Sequence, residues 1–285
     1  MYALFDIGGT KTRVAVSDDL QGFGEPIKFD TPQAYGDGLA AVADAITKLA
    51  GGKHLDACAG GIRGPLLPDH SGIAGDDILI DWVGKSLARD LEKLTNAPVQ
   101  IENDAALAGL GEAHFGAGKG YRIVAYHTVS TGVGGARIVD GKIDAASSGF
   151  EPGHQTIDID KTVCPTCESG ELEDLISGTA LEKRTGKKPK ETSQNDPVWD
   201  ELAHYLAHGL KNTIAYWSPD VIVLGGSMIL GDPRIKLEDV ERHLTDLLAG
   251  LVSPPSADRR VGPPIKDALL ADVGGLYGAM ALLKG

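Results

Sequence analysis

Cysteine is scarce: the 285-residue sequence has three, an odd number and too few for a disulfide framework, and a chain of this length buries a core without such staples. No apolar run approaches the ~18 residues of a membrane span. The opening Met1-Tyr2-Ala3-Leu4-Phe5-Asp6 has no basic segment, apolar stretch or cleavage site of a secretion signal. The expectation is a soluble, cytoplasmic chain without a membrane partner. Positive charge is also short, with 27 Lys and Arg against 40 Asp and Glu and a net charge of −13. A field of that sign repels polyphosphate backbones, which excludes nucleic acid as the main partner.

Glycine is what the sequence has in excess, with 38 residues, about twice ordinary usage. They follow no collagen period, so they belong in turns and in loops where backbone approaches a ligand. Hydrophobic residues at 42% and charged residues at 24% are ordinary for a folded protein. The length points to two domains.

The first organised segment is a strand, Tyr2–Phe5, ending in Asp6 and the turn Ile7-Gly8-Gly9-Thr10-Lys11, followed by alternating Arg13–Val16. Helical spacing appears over Leu39–Leu49, then a strand over Leu55–Ala59 enters Gly60-Gly61-Ile62-Arg63-Gly64-Pro65. Lys85–Leu94 reads as a helix, Pro98–Ile101 as a strand, and the run from Asp104 to Ala113 as a helix of small residues. A second strand–turn–strand follows: Arg122–Val129, the turn Ser130-Thr131-Gly132-Val133-Gly134-Gly135, then Ala136–Val139. Two equivalent hairpins, one per domain and facing each other across a cleft, explain this repeat better than a solenoid. Thr185–Asp196 reads as a surface loop, Trp199–Trp217 and Leu237–Leu251 as helices, and Val221–Leu224 as a strand into Gly225-Gly226-Ser227. Val252–Pro264 is a connection, and Gly274–Leu283 a closing helix.

Glycine turns after strands raise the question of phosphate. Gly84-Lys85-Ser86 ends like a Walker A loop, but Leu79 stands where that motif needs glycine. A Rossmann fingerprint leads into a helix, whereas both turns here lead into strands. What remains is a pair of hairpin turns whose N–H groups can cradle an anion. Hydroxyls at Thr10, Thr12, Ser130 and Thr131, with Lys11, suit phosphate oxygens, and Asp6 at a strand end suits Mg2+ held through water.

With these residues assembled, the chain resembles the ROK family of sugar kinases and sugar-responsive repressors. The resemblance rests on Asp6-Ile-Gly-Gly-Thr-Lys11, Glu102-Asn103-Asp104-Ala105, Ser130-Thr131-Gly132-Val133-Gly134-Gly135 and Glu151-Pro152-Gly153-His154. Leu172-Glu173 with Ser177-Gly178, Gly225-Gly226 and Asp272-Val273-Gly274-Gly275-Leu276-Tyr277-Gly278-Ala279 extend it over nearly the whole chain. It implies an α/β, two-domain actin-like ATPase (ribonuclease-H-like) fold with the active site in an interdomain cleft. The smaller domain is expected over 1–118 plus 273–285, and the larger over 119–272.

The resemblance implies an ATP-dependent kinase acting on the 6-hydroxyl of a hexose, most simply glucose, with Mg2+. Kinases for fructose, N-acylmannosamine or N-acetylglucosamine are the alternatives, and a non-catalytic sugar-binding protein is a remote one. A repressor is disfavoured by the charge and by a first strand already at Tyr2. By resemblance, Asp104 is the general base. Asn103, Glu151, His154, Glu173 and the loop containing Gly64 bind the sugar. Asp6, Gly8, Gly9, Thr10, Lys11, Thr131, Gly132, Gly225 and Gly226 serve the nucleotide, with Ser227 against the adenosine. Read alone, Asp104 or Asn103 is equally a helix cap, and Glu173 a solvated helix carboxylate.

The departure from the family lies at its zinc knuckle. Cys164 fits, but Thr166 and Glu171 occupy the other two cysteine positions and Cys167 is displaced. A Zn2+ site from His154, Cys164 and Cys167, completed by Glu171 or water, is one expectation; a knuckle without metal is the other. Cys58 reads as core packing. The resemblance also implies a homodimer, with Trp199, Tyr205 and Trp217 as candidate contacts.

Overall fold

Two apolar hairpins, each broken by a glycine turn, seed the two sheets of the computed structural model, which describes residues 1–144, 149–165, 167, 169–249 and 262–285. The chain begins with β1 (Tyr2–Ile7), β2 (Lys11–Ser17), β3 (Ile27–Asp30), α1 (Tyr35–Ala50) and β4 (Ala57–Ile62). Next come α2 (Leu87–Thr95), β5 (Val99–Asn103), α3 (Asp104–Phe115), β6 (Ile123–Val129), β7 (Val133–Val139) and β8 (Lys142–Ile143). Then α4 (Leu172–Ile176), α5 (Gly178–Thr185), α6 (Val198–Trp217), β9 (Val221–Gly225) and α7 (Ser227–Leu230) follow. The last elements are α8 (Leu237–Leu248), β10 (Ile265–Asp267) and α9 (Gly274–Leu282). One unit is built chiefly from Met1–Phe115 and Asp272–Gly285, the other from Gly116–Asp144 and Phe150–Ala271. Most of the connection expected at Val252–Pro264 lies outside the described residues.

The first unit carries a sheet in the order β3-β2-β1-β4-β5. β1 runs antiparallel to β2 and parallel to β4, and β5 is parallel to β4. Alternate residues of a strand face opposite sides. Ala3, Phe5 and Ile7 join a core with Val42 and Ile46 of α1, Leu87 and Leu91 of α2, and Trp82. Residues of the other face meet α9, which also packs on α3. That contact needs glycine: a Cβ on Gly278 would fall 1.8 Å from the Leu107 carbonyl oxygen, and one on Gly111 would fall 2.4 Å from that of Gly274. The small-residue helix is small because another helix backbone lies against it.

The second unit carries a sheet in the order β10-β9-β6-β7-β8. β6 is antiparallel to β7 and parallel to β9. Its core gathers Leu206 and Leu210 of α6, Leu244 of α8, Ile222 and Leu224 of β9, and Leu172 of α4. Trp199, expected as a dimer contact, is 3% exposed and belongs to this core, while Tyr205 and Trp217 pack against it partly buried. Ser177 caps α5 by accepting the Ala180 N–H at 3.1 Å. Cys58 is fully buried in the first unit, as its apolar strand implied. Among the described residues no helix is long and apolar enough to cross a membrane.

Candidate active site

In the first unit, strand register brings the charged residues to one edge. Asp6 pairs with Gly61 across β1 and β4, and Ile62 with Asn103 across β4 and β5. Three neighbouring parallel strands, ending at Ile7, Ile62 and Asn103, therefore bring Asp6, Arg63 and Asp104 to one edge, the kind of edge where open α/β sheets bind ligands. Asn103 takes the cap of α3: its Oδ1 accepts the Ala106 N–H at 3.1 Å, and its Nδ2 donates to the Gly64 carbonyl at 3.2 Å. Asp104 is the first residue of α3, and its Oδ1 accepts the Ala105 N–H at 2.8 Å. Burial raises the Asp104 carboxyl above the usual carboxylate range, and the positive charge of Arg63 works against that rise.

Asp6 is pushed up to about 7, by burial first and by the charge of Asp104 second, while Arg13 opposes the shift. Arg13 is its cross-strand partner, with Nη1 3.5 Å from Asp6 Oδ2 and Nη2 donating to Asp272 Oδ2 at 2.8 Å. Gly275 lies against the carboxyl group; a Cβ there would stand 2.9 Å from Asp6 Cγ. The first glycine turn closes with the Gly8 N–H donating to the Lys11 carbonyl at 3.0 Å. Thr10 is exposed there. Two expected phosphate ligands have partners within the protein. Lys11 pairs with Asp30, and Thr12 is buried with its hydroxyl 2.9 Å from that of Thr31. In the substrate loop, Gly64 has φ of 96°, a left-handed conformation that suits glycine.

The second unit brings together most of the other expected residues. The Ser130 N–H donates to the Gly132 carbonyl at 2.8 Å, and the hydroxyls of Ser130 and Ser227 lie 2.9 Å apart. That contact joins the second glycine turn, with exposed Thr131, to the Gly225-Gly226 loop. Gly226 has φ of 88°, and a Cβ on it would lie 2.3 Å from the Val129 carbonyl oxygen. Glu173 reaches the same turn: its Oε2 accepts the Val133 N–H at 2.6 Å and sits where a Gly132 side chain would go. Gly153 is pressed on the Val133 carbonyl, which sets the Glu151–His154 segment beside β7. Glu151 is exposed, and His154 Nδ1 lies 2.8 Å from Glu171 Oε2, an interaction that raises the imidazole above its ordinary value.

The zinc expectation needs correction. Cys164 and Cys167 are joined to each other as a disulfide, and a disulfide sulfur is not the thiolate that zinc requires. Among the described residues no three His, Cys, Asp or Glu side chains are grouped to hold a metal ion. Hydrogen bonds organise the segment instead. Asp158 accepts the N–H groups of Thr162, Val163 and Cys164, and Asp174 accepts the N–H and the hydroxyl of Ser169. Thr166 lies outside the described residues.

Sequence reasoning gave no site role to Arg13, Asp272 and Asp76, each of which partners a charged group at this edge, and it read Glu171 as a zinc-completing ligand and not as the partner of His154. Arg13 was legible in principle, because a hairpin turn after Ile7 sets it opposite Asp6. The others depend on tertiary approach.

A two-sheet α/β chain with glycine turns and carboxylates at its strand ends defines a class of phosphate-handling folds. A profile of the ROK family matches residues 2–285, and the chain belongs to the ROK family. A fructokinase of Lactococcus lactis subsp. cremoris is 26% identical over 295 residues, covering 99% of this chain and 97% of the fructokinase. The crystal structure of a ROK hexokinase from Thermus thermophilus matches with a TM-score of 0.82 at 28% identity, over 99% of this chain and 98% of that one. A ROK glucokinase from Streptomyces griseus, solved with glucose and AMPPNP, matches with a TM-score of 0.80 at 26% identity, over 100% and 99%. The fold is that of the actin-like ATPases to which these kinases belong.

Proposed function

We propose that the protein is an ATP-dependent hexose kinase that phosphorylates the 6-hydroxyl of glucose or a close relative. One observation carries the reading: Asn103 takes the helix cap through the Ala106 N–H, which leaves Asp104 as a partly buried carboxylate at the same helix start with its second oxygen, Oδ2, beyond that cap. Full-length similarity to fructokinase, hexokinase and glucokinase supports the substrate class.

In this reading Asp104 takes the hydroxyl proton as the sugar oxygen attacks the γ-phosphorus, and the bond from that phosphorus to the bridging oxygen of ADP breaks. Phosphoryl transfer depends on positioning and charge neutralisation. Gly8, Gly9 and Thr10 supply donors at the first turn, and Ser130, Thr131 and Gly132 at the second. Gly225, Gly226 and Ser227 lie against the adenosine. Asn103, Glu151, His154, Glu173 and the backbone at Gly64 bind the sugar, because each buried hydroxyl needs a partner. Asp6 fits a hydrated Mg2+: a partly buried carboxylate already repelled by Asp104 favours an added cation. Bound there, Mg2+ supplies charge neutralisation to the phosphates.

The test is a panel of glucose, fructose, N-acetylmannosamine and N-acetylglucosamine with ATP and Mg2+, read as ADP formed. Turnover highest with glucose is expected; preference for another sugar would reassign the substrate, and sugar binding without ADP formation would sink the kinase reading. We also propose a homodimer. Light scattering that returns 29.8 kDa, the mass of one chain, at every concentration would remove that proposal.

A further inference from the structure

Arg63 interrupts an otherwise small and apolar loop, Gly60-Gly61-Ile62-Arg63-Gly64-Pro65. Its backbone N–H donates to the Ile7 carbonyl at 3.1 Å, which anchors it beside the end of β1. Nε donates to Asp76 Oδ2 at 2.6 Å, and Nη2 to Asp77 Oδ1 at 2.9 Å. Asp76 is itself fixed, since its side chain is buried and its Oδ1 accepts the N–H groups of Ile78 and Leu79 at 2.7 and 2.6 Å. A planar guanidinium held at two nitrogens has its third set in direction. That third nitrogen, Nη1, lies 3.0 Å from where a Cβ on Gly9 would stand, so it is placed over the first glycine turn. The same cation acts on the carboxyl of Asp104.

A loop clip would account for the two aspartates, and a solvated ion pair for Asp77 alone. Neither requires the remaining N–H group to lie over a turn whose nearest residue has no side chain. We propose that Arg63 is a catalytic residue, its Nη1 donating to a non-bridging oxygen of the phosphoryl group in transit. The proposal rests on the kinase reading. The bond formed joins phosphorus to the sugar 6-oxygen, and the bond broken joins it to the β,γ-bridging oxygen. The electron pair leaves with ADP, the hydroxyl proton goes to Asp104, and Arg63 keeps its protons. Charge spreads over the non-bridging oxygens during transfer, and a fixed guanidinium beside them stabilises that state more than bound substrate.

Steady-state kinetics of the full chain, with ATP, Mg2+ and the best sugar of the panel, test this in Arg63→Ala and Arg63→Lys. The expected fall in kcat for Arg63→Ala is about 10³-fold, with sugar KM moving less than about threefold, as for an interaction made only in transit. Guanidinium chloride at a non-denaturing concentration should restore about tenfold or more of the lost kcat in Arg63→Ala and none in Asp104→Asn. If Arg63→Ala does not fold, Arg63→Lys carries the test: it keeps the charge, loses the fork, and should fall about 10²-fold. A kcat within about threefold of the parent chain in these variants overturns the proposal. So does a fall without guanidinium rescue and with a matching rise in sugar KM, which is the behaviour of a loop clip. A parent chain that phosphorylates no sugar overturns the kinase reading, and this assignment with it; an active parent with unaffected variants overturns the assignment alone.

Discussion

Strand for strand, the sheets of the two units correspond: each is a β-hairpin with a third antiparallel strand on one side and two parallel strands on the other. β6 stands where β1 stands, and β9 where β4 stands. In that correspondence Asp6, opposite Arg13 and Gly61, answers to Thr128, opposite Gly134 and Gly225. The turns differ by one residue, with four between the paired Ile7 and Thr12 and three between Val129 and Val133. At the matching pair that closes each hairpin the first unit thus places the ionisable groups Asp6 and Arg13, and the second places the Thr128 hydroxyl and the bare backbone of Gly134. A repeated scaffold has been given two chemistries, and the difference resides in a few side chains at the same strand positions.

The largest expected effect comes from removing the carboxylate at the start of α3 in the first unit. Asp104→Asn preserves shape, while loss of a general base costs about 10²–10⁴-fold in rate. Turnover should collapse while the melting temperature and calorimetric sugar affinity change little, because the cap belongs to Asn103. A variant that melts much earlier yet turns over normally would return Asp104 to a structural role.

Asp6→Asn makes the first unit more like the second, and it should stabilise the protein at alkaline pH. A carboxyl raised from 3.8 to about 7 in the folded state holds its proton better folded than unfolded. Its contribution to stability is complete below 3.8 and disappears as pH rises through about 7. The shift corresponds to at most about 4 kcal/mol. Denaturant unfolding without nucleotide or Mg2+ should therefore show Asp6→Asn more stable than the parent at pH 8, with the gap closing toward pH 4. An equal gap at both values would contradict the burial argument.

His127 sharpens the comparison from the other side, as a titratable group buried in the second unit. Burial lowers it from 6.5 to about 4, with Nε2 3.0 Å from the Thr213 hydroxyl and the ring stacked on Trp217. Its sign is opposite to that of Asp6. The unfolded chain binds the proton first, so stability falls as pH drops from 6.5 toward 4, by about 3 kcal/mol. Replacing it in His127→Gln should flatten the acid limb of the stability profile relative to the parent. An unchanged limb would show that the imidazole is hydrated in the folded state.

The smallest expected effect is at the knuckle. Protein purified without chelator should contain no stoichiometric zinc by elemental analysis, and a chelator should leave sugar KM unchanged. One zinc per chain would show that Cys164 and Cys167 act as thiolates.

The hairpins and most helices were legible because apolar period and glycine turns are local signals. Three strands were not. Ile27–Asp30, Lys142–Ile143 and Ile265–Asp267 are short and lie at sheet edges or ends, with too few residues for alternation to show. The start of α1 at Tyr35 was also hidden, since Asp81, distant in sequence, accepts the Tyr35 N–H at 2.8 Å. At the candidate site, Asp6, Asn103 and Asp104 could be read from their strand ends. Where Lys11, Thr12 and Glu173 point depends on partners that local spacing does not encode: Asp30, Thr31 and the Val133 N–H.

Both Met1 and Gly285 belong to the first unit, where α9 meets β1, β4 and α3, and it meets α3 through glycine-to-backbone contacts. Topologically, the second unit is an insertion within the first. During vectorial synthesis the opening sheet must wait for the closing helix, with its Gly278 seat on Leu107 open, while the inserted unit already has all its strands. Mechanically the order reverses. Tension applied between Met1 and Gly285 loads the seat of α9 on β1, β4 and α3 first, before the inserted unit bears force.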